Sequence, residues 1–308
     1  MILALAGGVG GAKLAAGLQA VLGQSLTVVV NTGDDFTHLG LCISPDLDTV
    51  MYTLAGLNNT DTGWGLAGET WSFMAMTKKL GGETWFNLGD HDLAVHVERT
   101  RRIAEGETLS SITADLCERL GVRARVAPMS DDTVRTVVES DRGELAFQDY
   151  FVRYHCEPVL KSLRFQGAPT AKPGAAFDAA LDDPSLEGIV LCPSNPYLSV
   201  QPILEIPGVK ERLASSRVPV VAVSPIVGGR AIKGPAAKIL KELGQETSAL
   251  AVAKHYRDLV DVFVMDQADA ALADEVTRLG MKPVVTDTIM RDAATSEALA
   301  RSLLAALK

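Results

Sequence analysis

The chain is short of basic residues. Across 308 positions, 29 lysines and arginines face 38 aspartates and glutamates, a formal net charge of −9. That deficit argues against a nucleic-acid binder, whose affinity comes mainly from a basic face neutralising phosphates. No stretch approaches the ~20 apolar residues that a membrane span needs. The N-terminus has no basic segment before its short apolar run, so no signal peptide is expected. Cysteines are few, and Cys42, Cys117, Cys156 and Cys192 include no pair at metal-ligand or redox spacing. They read as reduced core residues of a cytoplasmic protein. Internal repeats and low-complexity tracts are missing, as is the Gly-x-Ser-x-Gly elbow of serine hydrolases. His91 and His96 are five apart, so they would not share a helix face as a zinc pair does.

What is present starts at residue 2. Ile2 to Ala6 is a short apolar run suited to a strand buried on both faces. Gly7, Gly8, Gly10 and Gly11 then allow a tight turn, and Ala12 to Leu22 has helical composition. Amide groups at such a helix start point at an anion, and Lys13 adds a full charge. Two stricter motifs both fail here. A dinucleotide fingerprint wants glycine where Lys13 stands, and a P-loop wants Gly-Lys-Ser/Thr where Ala12-Lys13-Leu14 stands. The segment reads as a phosphate site, or else as a glycine-rich strand-to-helix connection with no ligand, and neither NAD nor ATP follows from it.

With 47% hydrophobic and 22% charged residues, the chain is globular, as one large domain or two coupled ones. Ile2–Ala6, Leu26–Asn31, Gly188–Cys192, Val218–Val223, Val260–Met265 and Lys282–Thr286 are short β-branched or apolar runs, most of them separated by helix-length segments. The pattern predicts an α/β fold with a doubly wound, Rossmann-like parallel sheet. Residues 1–48 and 167–308 would form the nucleotide-binding core. Residues 49–166 would be an inserted lid or substrate subdomain, helical first and then a hairpin. Its arms, Thr133–Ser140 and Leu145–His155, flank the turn Asp141-Arg142-Gly143.

In such sheets ligands gather beyond the carboxyl ends of the strands. The segments there are polar and glycine-rich: the glycine turn, Asn31-Thr32-Gly33-Asp34-Asp35, Pro193-Ser194-Asn195-Pro196, and Ser224 to Gly229. Asp34, Asp35, Asp46 and Asp48 place four carboxylates within fifteen positions beside the phosphate site, a combination suited to magnesium bridging phosphate oxygens. Magnesium takes only one or two carboxylates, so two of the four would be ligands. Asp46 could equally cap a helix beginning near Leu47, and Asp34 and Asp35 could form turns. His38 could position substrate or simply be a loop residue. Trp64, Trp71 and Trp85, followed by Phe86, could stack on a flat ring or pack the insertion onto the sheet.

Together with Pro45-Asp46-Leu47-Asp48-Thr49 and Leu88-Gly89-Asp90-His91-Asp92, these motifs occur in an order that resembles the 2-phospho-L-lactate transferase family. Those enzymes build the core of the deazaflavin coenzyme F420. The resemblance implies transfer of a phospho-lactyl or phosphoenolpyruvyl group from a guanosine diphosphate ester to the ribityl hydroxyl of the deazaflavin Fo, with magnesium as cofactor and GMP released. Gly8, Gly10, Gly11 and Lys13 would cradle the diphosphate. Ser194, Asn195 and Pro196, with Ser224, Gly228 and Gly229, would hold the guanosine end. Asp46 and Asp48 would bind the metal and polarise the attacking hydroxyl, with Lys13 stabilising the departing GMP. Asp34 and Asp35 are second candidates for those roles, and with Asn31 they would contact substrate. Trp85, Phe86, Gly89, Asp90 and His91 would border the deazaflavin. A homodimer is implied as well; the small acid on the donor is not legible.

A second expectation is a UDP-sugar-binding regulatory protein of the same superfamily. Those proteins usually follow the Asp-Asp pair with Gly-Gly-Ser-Ser-Gly, whereas Phe36-Thr37-His38-Leu39-Gly40 stands here. A third, an NAD-dependent oxidoreductase, is opposed by Lys13.

Overall fold

The computed structural model describes every residue except Lys233 and Lys308. Seven strands form one parallel sheet: β1 (Ile2–Ala6), β2 (Leu26–Val30), β3 (Arg125–Pro128), β4 (Gly188–Leu191), β5 (Val220–Val223), β6 (Val262–Asp266) and β7 (Lys282–Thr286). Their spatial order is β7-β6-β5-β4-β1-β2-β3, and every neighbouring pair is parallel. β1, β2, β4, β5 and β6 are buried along their whole length, which explains why they read as continuous apolar runs. Alternate side chains feed two separate cores. Leu3, Leu5, Val29 and Leu191 face one layer of helices, and Ile2, Ala4, Val28 and Val190 face the other. The edge strands carry Pro128 and Pro283, tolerated where a backbone donor is not needed for pairing.

The order reverses between β1 and β4, and this switch point opens a crevice at the carboxyl edge. Helix α1 (Gly8–Leu22) leaves β1 directly beneath that crevice. It begins at Gly8, several residues before the helical composition does. Helix α2 (Pro45–Ala55) opens with proline at its first position and carries Asp46 and Asp48 in its first turn. It packs on α1, as does the last helix, here α6 (Ala293–Ala306). Helices α3 (Ser72–Lys79), α4 (Asp90–Ala104) and α5 (Leu109–Arg119) lie between α2 and β3.

The sheet crosses the expected boundary at residues 48 and 166. β3 was not apparent in the sequence, and it comes from inside 49–166, as do most of α2 and all of α5. Those parts belong to the core. The hairpin is present as Arg135–Ser140 against Gly143–Ala146, with a third strand, Leu160–Gln166, on its other side. Its second arm ends sooner than expected. Phe147 and Tyr150 turn inward to a small apolar cluster, and the backbone follows them into a π-helical turn over Asp149–Arg153. A tight hairpin, Phe36–His38 with Leu41–Ile43, turns at Leu39 and Gly40, both in the left-handed region. It carries the chain from Asp34 and Asp35 back to Ser44 and α2.

Candidate active site

The glycines at the start of α1 are required by what presses on them. A Cβ on Gly7 would lie 2.5 Å from Asp46 Oδ2 and 2.7 Å from Ser199 Cβ. One on Gly10 would strike the Pro193 carbonyl oxygen, and one on Gly11 the Ser194 hydroxyl. Only Gly8 needs glycine for its backbone, with φ +58°. Ser194 Oγ accepts from the Gly7 N–H at 3.0 Å and donates to the Gly7 carbonyl at 2.8 Å, fixing the turn against the loop after β4. No acidic residue lies in the first turn of α1 itself. Asp46, from α2, accepts from the Gly8 amide, and Val9 and Gly10 of the same helix start line the crevice.

Asn31, just beyond β2, organises the carboxylates. Its side-chain amide donates to Asp46 Oδ2 at 2.9 Å and to Asp34 Oδ2 at 3.2 Å, while its Oδ1 accepts from the Gly33 N–H. Asp34 and Asp46 thus share one neutral donor in a buried site. Burial, and then the Asp46 charge, push Asp34 well above the usual carboxylate range. Burial raises Asp46 to about 6 against the opposing bonds from Asn31 and the Gly8 amide. Asp34 Oδ1 is buried without a hydrogen-bond partner. Two like charges held together in a dry site, one oxygen unclaimed, are a donor set that a divalent cation would satisfy. Asp35 turns away and accepts from Ser44 Oγ at 2.7 Å; burial raises it to about 7.

Asp48 differs. Both of its oxygens are taken by the guanidinium of Arg99, Oδ2 at 3.1 Å from Nη1 and Oδ1 in close contact with Nη2. Expected as a partner of Asp46 at a metal, Asp48 is ion-paired with a buried guanidinium, whereas Asp34 shares the Asn31 donor with Asp46.

These groups line a single cavity of about 640 Å³, enough for a ligand of drug size or larger. Gly8, Gly10, Lys13, Asp34, Asp46 and Asp48 form its floor, and Ser194, Asn195 and Ser224 one side. Lys13 Nζ donates to the Met290 carbonyl at 2.8 Å. Asn195 accepts from the Tyr197 and Leu198 amides, leaving its own buried NH₂ without a partner beside the cavity. Trp64, Trp85 and Phe86 form a second wall, and Phe147, Phe151 and His155 a third. His38 is buried, edge-on to Trp85 at 5.1 Å. The Arg153 guanidinium covers the Trp85 ring at 4.5 Å and pairs with Glu83 at 3.0 Å, tying the second wall to the third.

Several expected residues lie elsewhere. Gly11, Asn31 and Asp35 sit behind the lining. Gly228 donates to Asp269 and Gly229 is exposed, so the wall near Ser224 is made by Pro225, Val227 and Ile232. Pro196 opens a π-helical turn beneath Asn195. Gly89, Asp90 and His91 form a joint between helices. Asp90 accepts from Thr70 Oγ1 and from the Ser72 and Phe73 amides, and Glu69 accepts from the His91 and Asp92 amides. The next turn of α4 does reach the cavity, through Asp92 and His96. Their spacing of four is the sequence signal for this face of the helix. Tyr52, one turn beyond Asp48, and the segment Thr288–Met290 were missed as well; neither carries a local sequence signal.

The sequence pattern of the family described as 2-phospho-L-lactate transferase CofD matches residues 2–304. A phosphoenolpyruvate transferase of Kitasatospora aureofaciens is 42% identical over 312 aligned positions, covering 99% of this chain and 97% of that one. A 2-phospho-L-lactate transferase of Methanospirillum hungatei is 38% identical, with both chains covered in full. Among solved structures, a member of the UPF0052 family from Bacillus halodurans superposes with a TM-score of 0.63 over 98% of each chain at 16% identity, a likeness of fold. Set beside the paired carboxylates at the glycine turn, the full-length match shows that this chain belongs to the 2-phospho-L-lactate transferase family and is a transferase of that type.

Proposed function

We propose that this enzyme moves the acid-bearing phosphoryl group of a guanosine diphosphate ester, lactyl or enolpyruvyl, onto the terminal ribityl hydroxyl of Fo. The hydroxyl oxygen attacks phosphorus, its proton is lost, and the bond to GMP breaks. The observation that carries this reading is the Asp34–Asp46 pair, held by Asn31 against the amide-lined start of α1 in one cavity. A magnesium ion on that pair would supply Lewis-acid stabilisation of phosphate charge. The chain's own groups do the remaining work. The Val9 and Gly10 amides and Lys13 bind and orient the diphosphate, and the free NH₂ of Asn195 offers a donor toward the nucleotide. A carboxylate beside the Asp34–Asp46 pair can take the hydroxyl proton. Trp64, Trp85 and Phe86 exclude water from one side and offer apolar surface to the deazaflavin ring.

The relatives named above at 42% and 38% identity are transferases, which favours the enzyme over a UDP-sugar-binding regulator. All four cysteines are free, in keeping with a cytoplasmic enzyme. The exposed apolar side chains Trp71, Met76 and Leu80 along α3 suit the contact face of a homodimer. The test is a mass-spectrometric assay with Fo, magnesium and the lactyl, enolpyruvyl and glyceryl guanosine diphosphate esters offered separately. A deazaflavin phosphodiester with equimolar GMP from one donor is expected and names that donor. No product from any of them would overturn the proposal.

A further inference from the structure

Behind the Asp34–Asp46 pair lies a second charged cluster that the transfer reaction does not use. Asp48 and Tyr52 come from α2, and Asp92, His96 and Arg99 from α4; all five are buried, and all but Arg99 line the cavity. One ligand atom each from Asp48, Asp92 and His96 lie within 4.8 Å of one another. His96 Nδ1 is 3.6 Å from Asp48 Oδ2, and Nε2 is 3.3 Å from Asp92 Oδ1 without making a hydrogen bond. The Tyr52 hydroxyl donates to Asp92 Oδ1 at 2.6 Å. Two carboxylates and an imidazole at such separations are a plausible donor set for a divalent transition metal.

A cation is already there. The Arg99 guanidinium, 2% exposed, holds both oxygens of Asp48, touches His96 Nδ1 at 3.4 Å and donates to the Cys42 carbonyl at 3.4 Å. Burial disfavours its charge, but Asp48 outweighs burial and keeps it protonated. We propose that Arg99 is a positioning residue that takes the place of a second metal ion: by occupying Asp48 it leaves Asp34 and Asp46, among the described residues, as the cavity's carboxylate pair without a cation of its own, so a single divalent cation is directed there. The guanidinium is permanent, cannot be chelated, and binds the first turn of α2 to α4, fixing Asp46 relative to the wall that α4 supports.

The inference rests on the Asp34–Asp46 reading for where the single cation goes, but its test is separable. Manganese bound per chain is counted by the loss of free Mn²⁺ electron-paramagnetic-resonance signal for the wild type, D46N, H96N, R99K and R99M. One ion is expected for the wild type, H96N and R99K, none for D46N, and one more than wild type for R99M, whose freed Asp48 joins Asp92 and His96. A gain of one ion in R99M supports the role of Arg99 even if the wild type binds none, an outcome that would instead count against the Asp34–Asp46 pair. A second ion in the wild type that H96N removes would overturn the proposal, as would an unchanged count in folded R99M. Should R99M fail to fold, R99Q is counted in its place, with the same gain of one ion expected and an unchanged count overturning the proposal.

Discussion

At the scale of single residues, Asp46 and Asp48 are two positions apart on one helical turn and have opposite fates. Asp46 shares Asn31 with Asp34 and faces the glycine turn, while Asp48 faces a guanidinium. Asp46→Asn should therefore lower kcat by at least ~100-fold, the scale of losing one electrostatic anchor at a reacting centre, and leave the urea midpoint near wild type. Asp48→Ala should do the reverse first, destabilising the fold by about 3–5 kcal/mol because Arg99 is left as an unpaired buried charge. Steady-state kinetics and urea denaturation of the two variants check this. A stable Asp48→Ala protein would show that Arg99 finds another partner. The four aspartates were conspicuous in the sequence as a cluster, but which two share a site was not. That depends on Arg99, fifty-one positions from Asp48, and no local spacing reports it.

At the scale of elements, the sheet strands were legible because strands buried on both faces are written as unbroken apolar runs. β3 was not, because an edge strand such as Arg125–Pro128 is short, begins with an exposed arginine and ends in proline. The contact between α1 and α6 is as tight as any in the fold. A Cβ on Gly17 would collide with the Ser296 carbonyl and come within 3.0 Å of the Glu297 amide nitrogen. Gly17→Ala is expected to cost ~1–3 kcal/mol by forcing α6 outward, despite alanine's better helix propensity. A denaturation midpoint equal to or above wild type would mean that α6 moves freely and that propensity wins. The cavity walls from α4 and from the turn at Asp149–Arg153 were the least legible elements. They face the site only through tertiary packing, and their aromatic residues read equally well as core.

At the scale of the whole molecule, the buried carboxylates couple stability to pH and to metal. Burial raises Asp46 to about 6 and Asp35 to about 7 in the folded chain, against about 4 when unfolded. Between those values the folded state binds more protons than the unfolded one. Their stabilising contribution is thus complete below about pH 4 and is lost as pH rises through the folded values. A divalent cation at the proposed Asp34–Asp46 site would hold the carboxylates ionised and oppose that loss. Thermal scans in chelator should show Tm falling from about pH 5 to pH 8, and saturating magnesium should flatten or invert the slope. A chelated protein whose Tm rises over that range would contradict the assignment of these carboxylates as raised.

The strand order has a temporal side. β1, the first element of the chain, is central in the sheet, and the neighbour that completes its far side is β4, where Ile2 lies beside Gly188. At ribosomal speeds of about 5–20 residues per second, β1 and its glycine turn emerge roughly ten to forty seconds before that partner exists. Throughout that interval the glycine turn has no Ser194 to fix it and β1 presents an unpaired edge. The centre of the sheet therefore stays half built until residues 188–191 emerge, and the cavity is complete only when Thr288–Met290 follow roughly a hundred residues later.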